Sequence, residues 1–200
     1  MIPKQQVDVL KVLIADDNAP TRMMLRAAIK QWGYEAVEAA DGEQAWNILQ
    51  EASGPRLLVL DWLMPKLNGV ELSERIRKEL SYHPYIILLT QMSGTENIIK
   101  GLDAGADEFL SKPFNMAELR SRLSVGARII KSEKELGQKN LQLKNYGDQL
   151  KTISTYLQEL SKQIDIMTSS VATVNSTNLQ EIRVMLDNAM NVVNKNVEEE

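Results

Sequence analysis

Residues 57–69 read LLVLDWLMPKLNG. Four apolar residues run straight into an aspartate, Asp61, and Met64-Pro65 follow it. An unbroken apolar run suits a strand covered on both faces, because a strand wet on one face alternates apolar with polar. The run therefore delivers an acid to the edge of a sheet, and the proline then turns the chain sharply. Outward from it lie similar short runs: KVLIA (11–15), YEAVEA (34–39), YIILLT (85–90) and ADEFL (106–110). The segments between them, 20–32, 42–51, 68–79, 95–103 and 115–128, carry helical periodicity. Strands alternating with helices of this length predict an α/β fold, a five-stranded parallel sheet, doubly wound, with helices on both faces. Such sheets bind ligands in the crevice at the carboxyl ends of their strands.

The residues at those ends form a set. Asp16-Asp17 close the first strand, Asp61 the third and Thr90 the fourth, while Lys112-Pro113 follow the fifth. Singly, each has a plain explanation. Asp16 can cap the first helix, Thr90 is a common strand residue, and Phe109 can be core. Together, three carboxylates, a hydroxyl and an ammonium on one rim describe a charged site. Carboxylates held close raise one another's pKa unless a cation sits among them. A hard divalent ion answers, and Mg²⁺ is favoured because it takes one or two carboxylates and keeps water for phosphate oxygens. With that charge shielded, a carboxylate oxygen can attack a phosphoryl donor and form an acyl phosphate. The lysine ammonium and threonine hydroxyl can then hold the phosphoryl oxygens.

Four stretches carry a family resemblance: LIADDN (13–18), LDWLMPKLNG (60–69), ILLTQMSG (87–94) and GLDAGADEFLSKPF (101–114). In this order and spacing, residues 10–128 resemble the flavodoxin-like receiver domain of bacterial two-component response regulators. The resemblance implies that Asp61 is the phosphoacceptor and that Asp16 and Asp17 organise Mg²⁺ with Asp61 and the backbone carbonyl of Leu63. It implies that Thr90 and Lys112 bind the phosphoryl group and that Phe109 is the switch aromatic moving with Thr90. It also implies a cis peptide before Pro113. The donor would be a cognate histidine kinase or phosphotransfer protein. One departure is Gln91, since the family usually has a small residue after the switch threonine. With Leu63 and Met92 also near the site, slow self-dephosphorylation is expected.

Composition narrows the class. Hydrophobic content of 44%, charged content of 25% and a net charge of -4 suit a soluble domain and offer no basic field for nucleic acid. There is no cysteine, hence no disulfide frame, and the single histidine, His83, cannot build a metal site. MIPKQQVDVLK at the start lacks a signal-peptide core, and no apolar run reaches spanning length, so a cytoplasmic protein with no membrane span is expected.

All six prolines fall by Pro113, all three tryptophans by Trp62 and both phenylalanines by Phe114. This shift puts a boundary near residue 128, after an N-terminal extension (1–9) and the receiver (10–128). Beyond it runs a seven-residue beat. Leu136, Leu143, Leu150, Leu157, Ile164 and Val171 are paired with Lys139, Tyr146, Ile153, Leu160, Met167 and Val174, each three residues on. Heptads predict a helical, dimerising coiled coil over 129–175, with a folded-back hairpin as the rival. At VNSTN (174–178) the beat slips, and Leu179, Leu186 and Val193 restart it. Thr177 and Gln180 have capping-box spacing, so either one helix carries a skip or a turn opens a further helix over 176–200, with VEEE frayed at its end. No separate catalytic domain is seen. The expected output is protein–protein contact or homodimerisation through the tail, with an unnamed downstream partner. The alternative is the receiver and stalk of a longer regulator with a diguanylate cyclase or phosphatase output.

Overall fold

Side-chain alternation along the strands divides the apolar residues between two layers. The computed structural model describes residues 9–91, 95–170, 180 and 182–191. Its strands are β1 (Lys11–Ala15), β2 (Glu35–Ala39), β3 (Leu57–Asp61), β4 (Tyr85–Thr90) and β5 (Glu108–Ser111). All pair in parallel, in the order β2-β1-β3-β4-β5. The helices are α1 (Ala19–Gln31), α2 (Gly42–Leu49), α3 (Gly69–Glu79), α4 (Thr95–Asp103) and α5 (Met116–Ser170). The predicted doubly wound sheet is thus the observed one.

On one face Leu13, Leu58, Leu60, Ile86 and Leu88 pack with Trp46 and Leu49 of α2 and Leu72 and Ile76 of α3. On the other, Val12, Ile14, Leu57, Val59, Ile87 and Leu89 pack with Leu25 and Ile29 of α1 and Leu119 and Leu123 of α5. β3 and β4 are buried along their whole length, which explains their lack of polar alternation. The strand order reverses direction between β1 and β3, and ligands of this architecture bind at that switch point, at the carboxyl ends. Asp16-Asp17 and Asp61 sit at those two ends.

Two compact units divide the chain at Glu133/Lys134. The boundary near residue 128 falls inside α5, where nothing in the sequence stops a helix. In the second unit, Leu150, Leu157 and Ile164 are half-buried, whereas Leu136 and Leu143 are exposed. Their heptad partners Tyr146, Ile153, Leu160 and Met167 are also exposed, as is Lys139. Residues 182–191 are helical, and Arg183 Nη1 lies 3.1 Å from Asp165 Oδ1. Val171, Val174, the VNSTN stretch, Thr177, Leu179, Val193 and the VEEE end lie outside the described residues, as do residues 1–8.

Candidate functional site

Each site residue is placed by a strand end and the turn that follows it. β1 ends at Ala15, and Asp16 is fully buried while Asp17 is exposed. The turn is closed by Asn18, whose side chain accepts from the Thr21 N–H at 2.9 Å and caps α1. Asp16 is therefore not the helix cap. Its Oδ1 accepts from the Asn18 N–H at 2.8 Å, and its Oδ2 accepts from Lys112 Nζ at 2.8 Å.

Asp61 ends β3 and is 8% exposed. The loop after it is tied back at both ends: Trp62 N–H donates to the Leu89 carbonyl at 2.7 Å and Gly69 N–H to the Trp62 carbonyl at 3.0 Å. Lys66 takes a positive φ of 68°, a strained conformation for a residue with a Cβ, and its ammonium pairs with Asp41 at 2.6 Å. Only a glycine fits at 69, because a Cβ there would stand 2.2 Å from the Asp61 carbonyl oxygen. Asn68 opens α3 with a reciprocal capping box to Glu71.

Carboxylate oxygens of Asp16, Asp17 and Asp61 lie within 4.8 Å of one another. Lys112 Nζ bridges two of them, 2.8 Å from Asp16 Oδ2 and 3.0 Å from Asp61 Oδ2. Lys112 precedes Pro113 through a cis peptide, and its N–H, which donates to the Thr90 carbonyl at 2.6 Å, ties it to the end of β4. Burial pushes the Asp61 carboxyl above its usual range, and the charges of Asp16 and Asp17 add to this while Lys112 opposes it. Burial alone would lower the Lys112 pKa, but its bonds to Asp16 and Asp61 outweigh that, so the ammonium is held charged. A cluster of three acids with hard oxygen donors fits a divalent cation such as Mg²⁺.

Among the other anticipated residues, Thr90 is buried at the end of β4 and Phe109 is half-buried on β5. Leu63 is 55% exposed, and Gln91 is exposed beside Thr90 in the chain. Met92 lies outside the described residues. The sequence reading overlooked Arg22, whose Nη1 donates to the Asp16 and Asp17 carbonyls at 2.7 and 3.1 Å. A cation in the first turns of a helix is electrostatically adverse, and that oddity was the available signal.

The family model of the response regulator receiver domain matches residues 12–124. The chain belongs to that family, the receivers of phosphorylation-dependent two-component signalling. It is 40% identical over 118 residues to the phosphate regulon transcriptional regulatory protein PhoB of Pseudomonas aeruginosa, covering 58% of this chain and 51% of that protein. It is 36% identical over 115 residues to the response regulator RppA of Synechocystis, covering 57% and 49%. The receiver domain of the Francisella response regulator 1452 superimposes with a TM-score of 0.58 at 31% identity, over 60% of this chain and 98% of that one. The chain spans about half the length of the curated relatives it matches.

Proposed function

We propose that this protein is a response regulator that takes a phosphoryl group on Asp61 and signals through its helical tail. The observation that carries the reading is the clustering of Asp16, Asp17 and Asp61 within 4.8 Å, with Lys112 spanning two of them. Asp16, Asp17, Asp61 and the Leu63 carbonyl would hold Mg²⁺. When bound, the ion neutralises the acids and draws charge from the phosphoryl oxygens.

An Asp61 carboxylate oxygen attacks phosphorus, and the bond from phosphorus to the donor nitrogen or oxygen breaks as the new P–O bond forms. A phosphohistidine of a kinase or phosphotransfer protein, or a small acyl phosphate, is the donor. The attacking oxygen must be ionised, and Lys112 favours that state. After transfer, Lys112 holds one phosphoryl oxygen and the Thr90 hydroxyl another. Thr90 moves to do so, and the half-buried Phe109 ring follows into the space it leaves.

The tail carries the output. Tyr146, Ile153, Leu160 and Met167 recur every seven residues and are all exposed in one chain, at 63%, 48%, 48% and 63%. Burying such a stripe against a second copy removes it from water and gives a homodimer. No helix among the described residues is long and apolar enough to cross a membrane. The test is solution mass of the full chain with and without beryllofluoride and Mg²⁺. Assembly that responds to the phosphoryl mimic in wild type but not in Asp61→Asn supports the proposal. A monomer under both conditions contradicts the tail-mediated output.

A further inference from the structure

We infer that Arg22 is a positioning residue, fixing the turn after β1 so that Asp16 and Asp17 present their carboxylates together to a divalent cation. This rests on the reading of the acidic rim as a cation site. Nη1 of Arg22 donates to two successive carbonyls, Asp16 at 2.7 Å and Asp17 at 3.1 Å. Peptide groups are planar, so fixing both oxygens fixes the two peptide planes on either side of the Asp17 Cα and the direction in which its side chain leaves. Every polar atom of Asp16 is then engaged. Its N–H donates to the Ala39 carbonyl at 3.3 Å, Oδ1 accepts from Asn18, Oδ2 from Lys112, and the carbonyl from Arg22.

The placement of Arg22 is adverse without such a role. It is the fourth residue of α1, near the positive end of the helix dipole, where a cation is disfavoured. The two carbonyls offset that cost, as does Glu38 on β2, whose Oε2 lies 4.0 Å from Arg22 Nε. The Arg22 side chain is only 18% exposed, so these bonds are poorly replaced by water. Glu38 is also held by Arg26 at 3.1 Å, which leaves the carbonyls as the closer partners of Arg22.

The sign of the effect separates positioning from charge. Removing a cation beside an acidic rim strengthens cation binding by electrostatics alone. Removing a clamp that orients ligands weakens it, typically 10–100-fold for an outer partner of a metal site. The experiment is calorimetric titration of the full chain with Mg²⁺, comparing wild type, Arg22→Met, Arg22→Lys and Glu38→Gln, with circular dichroism as the folding control. The expected result is a Kd about tenfold higher for Arg22→Met, partial recovery in Arg22→Lys, and Glu38→Gln within about twofold of wild type. A Kd for Arg22→Met equal to or below that of wild type overturns the inference. So does an equal loss in Glu38→Gln, since the carbonyl bonds survive there. Should Arg22→Met not fold, Arg22→Lys decides, with a several-fold higher Kd in support and an unchanged Kd against. Wild type that binds no Mg²⁺ instead overturns the reading of the rim itself.

Discussion

Asp61 is costly to the fold because it is an acid 8% exposed at the end of a fully apolar strand. Its pKa is raised in the folded protein, chiefly by burial. The folded state thus binds its proton more tightly than the unfolded chain does. The penalty is absent below the unfolded carboxylate pKa and is complete above the folded one. Asp61→Asn should therefore melt about 3 °C higher than wild type at pH 7 without Mg²⁺, and about equally near pH 3, in thermal melts followed by circular dichroism. Saturating Mg²⁺ should close the gap at pH 7 by stabilising wild type. A lower melting temperature for Asp61→Asn at pH 7 would show that the Lys112 pair outweighs burial. At the same scale, Leu63 is 55% exposed and Gln91 is exposed, and we propose that these side chains obstruct water at an acyl phosphate. Phosphate release from the labelled protein should take minutes or longer, and loss within seconds would refute the obstruction. The acids and Lys112 were legible in the sequence because apolar runs mark strand ends. Asn18 and Arg22 were not, because bonds to backbone leave no periodic pattern and Asp16 is as good a cap by type as Asn18.

Elements were read well where burial is two-sided. β1 and β4 have the bounds their apolar runs predict, and β3 gains only Asp61. The expected boundary near residue 128 is not a break in the backbone, because no proline after Pro113 stops α5, which runs through it. What holds Asp61 at the element scale is the close approach of α3. A methyl at Gly69 would meet the Asp61 carbonyl oxygen at 2.2 Å and Leu88 Cδ2 at 3.0 Å. Gly69→Ala should cost about 2 kcal/mol in denaturant unfolding and slow phosphoryl labelling together. Loss of labelling with unchanged stability would mean that the loop shifts without strain. Gly126 plays the matching part on the other face, where a Cβ would stand 2.4 Å from Tyr85 and 2.7 Å from Leu57.

For the whole molecule, the heptad pattern announced a helix and an apolar stripe, and both are present. Which surface buries that stripe was not legible, because period alone does not distinguish a second copy from the chain's own return. Within one chain Ile153 and Leu160 are 48% exposed. Replacing both with aspartate should convert an oligomer to a monomer by sedimentation, with the receiver's melting temperature unchanged, because neither side chain is buried within one chain. An oligomer that survives the double substitution would place the interface elsewhere. The most direct test of the central claim is labelling of the full chain with radioactive acetyl phosphate and Mg²⁺, followed by peptide mapping. Acid-stable, base-labile label is expected on the peptide containing Asp61, abolished by chelation and by Asp61→Asn. Label that persists in Asp61→Asn at the wild-type level, or that maps to another residue, would contradict it.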